Sequence, residues 1–501
     1  MDKEPCHWAD VPDEVSDIIL NLAAQSGNTG FGWIFIFVCR RWYTRRNLWL
    51  PKPRFPSAPA QKEITADAAR SGSLDLLMWL RNTLRCAWDA STCANAALGG
   101  HFEMLKWARE KGCPWTEATC TNAALGGYFE ILRWARENGC QWGYTTFAAV
   151  AETGDLDMLK WLREGGCQMT THSAAGAAKR GHLEALKWIR EAGSGCPIDE
   201  NICANAAGGG HLEVLKWLRE EKCAWDEMTL YYAAAGGHLE VMKWAVANGC
   251  PCKSSACSAA AGSGHLEVLK WSRENKCGWD KRTCASAAEG GHFEVLKWAR
   301  ENGCQWDERV CTAAVSRRDR AMLEYAFMND CPMDVWTCKA AALNGDLWTL
   351  KWLRERECPW DDMVLQEAAR RGDFAMMKWA SESGCPWSPI VCARAAAAGN
   401  VEVLQWLREK GCPWNYLVWS SAVAGYHGEV LKWAKEVQCP EMPRSLPGLF
   451  TLAAERGHLD VLDWFYQKGM LTGPKLLEVA TSSGDLHAQT WASKRVSPGS
   501  E

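Results

Sequence analysis

No stretch of this 501-residue sequence approaches the run of about 20 apolar residues that a membrane helix needs; the longest candidate, Trp33 to Val38, is far too short. The opening Met1-Asp2-Lys3-Glu4-Pro5 lacks the apolar core of an export signal, so no membrane partner and a cytoplasmic or nuclear location are expected. Excess charge of one sign is missing too, with 56 Lys and Arg against 60 Asp and Glu, a net charge of -4. That balance leaves no electrostatic footprint for nucleic acid, and none is expected as a partner. Absent as well are a phosphate loop of the form G-x4-G-K-[ST], an H-E-x-x-H pair and a G-x-S-x-G elbow. The chain is therefore expected to bind rather than catalyse, to need no cofactor and to act as a monomer.

Cysteine, in contrast, is plentiful, with 25 residues. Without an export signal these are expected to stay in a reducing compartment, where disulfides are rare. Zinc sites need closely paired ligands plus a second pair, and only Cys250 and Cys252 lie close together, so no metal site is expected. Burial as small apolar side chains explains the cysteines better.

What dominates is repetition. An aromatic residue recurs at Trp79, Trp107, Trp134, Trp161, Trp188, Trp217, Trp244, Trp271, Trp298, Tyr325, Trp352, Trp379, Trp406, Trp433, Trp464 and Trp491, mostly 27 residues apart. A period of that size predicts stacked supersecondary units that share one continuous core. One repeat, Thr92 to Trp115, reads as a short Ala-rich helix closed by Gly99-Gly100, then a second helix, then a loop. In His211 to Glu220 the residues Leu212, Val214, Leu215, Trp217 and Leu218 cover an apolar arc of roughly 220° at 100° per residue, which implies burial against neighbours on both sides. Gly112, Gly139, Gly249, Gly303 and Gly411 read as left-handed stops of this helix. A fully buried Trp contributes on the order of 4 to 6 kcal/mol before entropy, so the helix tryptophans are expected to be structural. A second ladder, Trp88, Trp115, Trp142, Trp225, Trp279, Trp306, Trp360, Trp387 and Trp414, follows the loop cysteine and is expected to pack between repeats. Eight histidines, among them His101, His182, His211 and His238, share one place in the repeat with Ser73, Asp155, Asp319, Asp346, Asp373 and Asn400, where capping or turn bonding is expected.

Gly-His-Leu-Glu-Val-Leu-Lys followed by Gly-Cys-Pro-Trp resembles the ankyrin repeat, over about Ile64 to Ala492 and sixteen units. The units fall short of the family's roughly 33 residues. The missing residues lie in the connecting loop, so the projecting β-hairpin is expected to be shortened or absent. The resemblance implies an all-α, ankyrin-like solenoid of helix-turn-helix units over residues 57–501. Loop signals at Gly193-Ser194-Gly195 and Pro440 to Pro447 are expected to offset the stack.

Residues 1–56 lie outside the period. Val11-Pro12-Asp13-Glu14-Val15 and Val38-Cys39-Arg40-Arg41-Trp42, with Leu48-Trp49, resemble the F-box, although the stretch from Ala24 to Gly32 lacks the usual Leu-rich middle helix; an N-terminal cap on the first repeat is the alternative. The F-box resemblance implies a substrate-recruiting subunit of a cullin-type ubiquitin ligase, docking a Skp-family adaptor through Pro12, Ile18, Leu20, Val38 and Trp42. A plain ankyrin-like scaffold without a ligase link is the other reading. The partner surface for a protein target in the repeat groove is expected where repeats differ within a fixed framework: Tyr144, Asp226, Glu227, Tyr231, Tyr232, Lys281, Arg282, Glu308, Arg309, Asp361, Asp362, Tyr416 and Trp419.

Overall fold

The computed structural model describes residues 58–192, 199–425, 427–437, 439, 450–451, 453–454, 459–467, 469, 471–482 and 486–496. The F-box-like segment and the loops at Gly193–Gly195 and Pro440–Pro447 lie outside them. The fold is an all-helical repeat solenoid: among the described residues there are 31 helices and no strand. They make fifteen helix pairs and the second helix, Leu459–Gln467, of a further pair. The chain divides into two compact bodies, the first running to Ala260 and taking in Glu267–Gly278, the second comprising Ala261–Leu266 and everything from Trp279 onward.

In the first body, a representative repeat begins at Asp89, whose carboxylate accepts from the Ser91 amide at 2.9 Å and starts the helix Ala90–Leu98. Its inner positions Thr92, Cys93, Ala94, Ala96 and Ala97 are all buried, and their small size lets successive first helices approach closely. A Cβ on Gly208 would lie 3.1 Å from that of Tyr232 in the next first helix. The second helix, Phe102–Glu110, buries Met104, Leu105 and Ala108. Only residues 111–116 then separate it from the next first helix, Glu117–Leu125, with no strand among them, as expected of a connection too short for a projecting hairpin. Gly112, Gly139 and Gly249 take φ of +80°, +86° and +86° there, the left-handed stops read from the sequence. The second body repeats the pattern, as in Lys281–Gly290 with Phe293–Glu301.

Bulk is distributed unevenly between the layers. Ala and Cys separate the first helices, whereas rings fill the wider space between second helices. In the first body the loop ring Trp142 sits between the Arg136 guanidinium, 4.4 Å from its centroid, and the Trp161 ring of the next second helix, 5.0 Å away and edge-on at 83°. In the second body Trp360 sits likewise between Arg354 at 4.4 Å and Trp379 at 5.7 Å. The two ladders thus pack on each other across repeats. Most of the helix rings, Trp107, Trp161, Trp217 and Trp379 among them, are half-buried rather than enclosed, so the burial energy expected for a fully buried ring overstates their share. The fully enclosed large side chains include Leu105, Leu132, Leu159 and Leu162 of the second helices.

The shared histidine position has two solutions. Asp155 and Asn400 cap their own second helix, accepting from the amides of Met158 at 2.9 Å and Val403 at 3.0 Å. Histidines instead reach back one repeat: Nε2–H of His182, His211 and His238 donates to the carbonyls of Glu152, Lys179 and Gly208, each at 3.0 Å. They are clasps between repeats, because an imidazole is too long to fold back onto its own N-terminal amides. The first-helix terminus they meet must be glycine. Gly210 has φ of +77°, and a Cβ there would lie 2.6 Å from Nδ1 of His238.

Candidate functional site

Side chains left exposed by this packing lie on the outward face of the first helices and their leading turns, and also on second helices, where Met328 is 77 % and Trp348 49 % exposed. In the first body Tyr144 and Tyr232 are each 46 % exposed, and Tyr231 is half-buried with its ring edge-on to Tyr232 at 5.3 Å. Asp226 is spent as a cap, accepting from the Met228 amide at 2.9 Å, and Glu227 pairs with Lys253.

In the second body Asp307 organises a cationic cluster. It is buried, and Arg309 at 3.0 Å and Lys281 at 3.2 Å share its carboxylate. Burial alone would raise the Asp307 pKa, but those two cations outweigh it and hold the carboxyl below the usual range. Arg282 is exposed, 3.4 Å from Asp280. Arg317 donates to the Glu289 carbonyl at 3.1 Å, filling beside Gly291 the place a histidine clasp takes elsewhere. A cleft of about 250 Å³ opens between these groups, lined by Glu289, Arg309, Thr312, Ala313, Ser316 and Arg317. Glu308 is half-buried at the start of its helix, Asp361 caps the Met363 amide at 2.9 Å, Asp362 accepts from Gln366 at 3.0 Å, and Tyr416 is half-buried.

The variable positions divide between the two bodies, and one is misassigned. Trp419 is only 4 % exposed, because it stands in the helical phase that Cys93 and Cys284 occupy in other repeats and so faces the core. Sequence reasoning missed Trp336, 52 % exposed, together with Leu343, Ile390 and Leu125, which are also exposed. Aligning repeats by their caps finds Trp336, which stands two residues after Asp334 as Arg282 stands two after Asp280. Pro12, Ile18, Leu20, Val38 and Trp42 lie outside the described residues. Among the described residues no cluster of three or more His, Cys, Asp or Glu side chains could hold a metal ion, and no helix is long and apolar enough to cross a membrane.

The free thiols among the described residues are buried, and most loop cysteines are tied to the backbone. The loop cysteine donates S–H to the carbonyl that opens its own repeat, as in Cys223 to Asp199 at 3.1 Å and Cys358 to Asp334 at 3.4 Å. Among the described residues one disulfide is present, Cys252–Cys277, against the expectation that disulfides are rare.

No family model matches the chain, and no curated protein does. Among solved structures, the pentatricopeptide repeat protein PPR10 in complex with an 18-nt psaJ RNA element is similar at 13 % identity and a TM-score of 0.32, covering 96 % of this chain and 84 % of that one. The pentatricopeptide repeat protein PPR10 from maize gives 12 % identity and a TM-score of 0.29, covering 96 % of this chain and 88 % of that one. The human ASB11 ankyrin repeat domain gives 22 % identity and a TM-score of 0.28, covering 36 % of this chain and 96 % of that one. With an RNA complex among these helical-repeat neighbours, the exclusion of nucleic acid drawn from net charge is withdrawn. Net charge averages over the whole chain, whereas Lys281, Arg282, Arg309, Arg317, Arg318 and Arg320 gather within forty residues of one another.

Proposed function

We propose that the chain is a non-catalytic protein-interaction module whose exposed first-helix faces hold a target, and that residues 1–56 link it to a cullin-type ubiquitin ligase through a Skp-family adaptor. The observation that carries the reading is the division of labour within the repeat. Leu, Ala, Cys, His and Arg side chains are consumed in stacking, while Tyr144, Tyr232, Arg282 and Trp336 stay exposed on the first helices. Exposed aromatic and Arg side chains suit binding hot spots. The ligase link is supported by the F-box-like wording around Pro12 and Trp42.

Two arms test it with the full-length protein. A Skp-type adaptor should be captured by the wild type and lost with Pro12→Ala plus Trp42→Ala; capture unchanged by the pair rejects the ligase link and leaves the scaffold reading. Target capture, identified by proximity labelling, should fall with Tyr232→Ala or Arg282→Glu. Arg309 is unsuitable for charge reversal, since it neutralises the buried Asp307. Capture that survives both face substitutions rejects the face.

A further inference from the structure

In the repeat that opens at Lys253, a covalent bond replaces the usual S–H link. In other repeats, as at Cys223 and Cys358, the loop cysteine reaches the carbonyl at the start of its repeat; here Cys277 is bonded to Cys252, the residue before Lys253, with Cα atoms 5.3 Å apart. Cys252 exists because this one loop reads Gly-Cys-Pro-Cys where others read Gly-Cys-Pro-Trp, as at Cys113-Pro114-Trp115. It is half-exposed, whereas Cys277 is buried. A third sulfur waits behind the bond. Buried Cys257 lies 20 residues before Cys277, with its Sγ 4.0 Å from the Cys277 carbonyl oxygen. The same spacing brings sulfur to sulfur at 3.1 Å in Cys203 and Cys223, and at 3.6 Å in Cys392 and Cys412.

We propose that Cys252, Cys257 and Cys277 form a thiol–disulfide exchange site, charged at half-exposed Cys252 by a low-molecular-weight disulfide. In charging, the Cys252 thiolate attacks the reagent's S–S bond and one reagent thiolate leaves. The Cys277 thiolate then attacks Cys252 Sγ and expels the second, so two protein thiols are oxidised and one reagent disulfide is reduced to two thiols. In exchange, the Cys257 thiolate attacks Cys277 Sγ, the Cys252–Cys277 bond breaks, and Cys252 leaves as thiolate and takes up the proton that Cys257 gave. That second step conserves oxidation state and moves the bond from the surface into the core. Neighbouring Cys250 does not compete: burial foremost, with Asp226 beside it, pushes its thiol up to about 12.

The full-length protein is reduced, exposed to glutathione disulfide, quenched in acid, alkylated and digested with trypsin, which cuts after Lys253 and Lys276 and so puts Cys252, Cys257 and Cys277 on three peptides. The wild type should yield Cys252–Cys277 first and Cys257–Cys277 later; Cys257→Ser should yield the first alone. Cys252→Ser should slow formation of Cys257–Cys277 by about tenfold or more, since the entry thiol is gone. The Cys203–Cys223 pair, where Ile198 stands in the place of Cys252, should stay reduced. Its oxidation in a variant marks unfolding, and Cys252→Trp, which supplies the ring of the other loops, then replaces Cys252→Ser. A Cys257–Cys277 link that never appears in the wild type, or that forms as fast without Cys252 in the folded variant, overturns the proposal.

Discussion

Replacing Gly210 by alanine tests the clasp between repeats most sharply. The residue sits at φ of +77°, where a side chain costs about 1–2 kcal/mol. The new Cβ would also fall 2.6 Å from His238 Nδ1 and 2.7 Å from Cε1, so the ring must swing away and release the 3.0 Å bond from Nε2 to the Gly208 carbonyl. Losing that bond removes about 0.5–1.5 kcal/mol, for a total of roughly 1.5–3.5 kcal/mol. In a His238→Ala background there is neither a ring to strike nor a bond to lose, and only the conformational cost of about 1–2 kcal/mol remains. Because long repeat arrays unfold in parts, the assay is amide hydrogen exchange over residues 200–245 rather than a single melting temperature. An equal penalty in the two backgrounds would refute the clasp and leave His238 an ordinary surface residue.

Further outcomes follow from the same framework. Leu215→Ala, at a fully enclosed position, should lower local protection of its repeat by about 2–5 kcal/mol, again read by exchange. Lys222 adopts φ of +60° where Gly112 stands in another repeat, so Lys222→Gly should gain about 1 kcal/mol in denaturant titration. Cys252→Ser should cost the oxidised protein about 3.5 kcal/mol in the repeat closed by Cys252–Cys277, and the reduced protein far less. Burial, with His238 and His182 adding repulsion, depresses the His211 pKa. Its contribution to stability is then complete above an unfolded-state value of about 6.5 and is lost as pH falls through the depressed folded value, a slope that His211→Gln should flatten in denaturant titrations between pH 8 and 5.

The repeat and its two helices are legible in the sequence because both depend on local signals. His211 to Glu220 carries its apolar arc openly, and Asp89 announces the cap it makes. Contacts one repeat away are not legible. Nothing beside His238 in the chain points to the Gly208 carbonyl thirty residues earlier, and nothing beside Arg136 shows that it covers Trp142 while bonding the Cys140 carbonyl at 3.3 Å. The exposed face is legible only in part, since departure from the repeat marks a residue as special without telling inside from outside. Tyr232 and Trp419 both depart from it, yet one is exposed and the other buried. Helical phase relative to the cap separates them.

The central claim is that the first-helix face, and not the outer face of the second helices, meets the partner. It can be tested without knowing that partner, by placing a photo-crosslinking amino acid singly at Tyr232, Arg282 and Trp336, and at Glu213 and Glu267, whose side chains are 76 % exposed on second helices. The account predicts adducts at the first three positions and none at the last two. Adducts confined to Glu213 and Glu267 would contradict it.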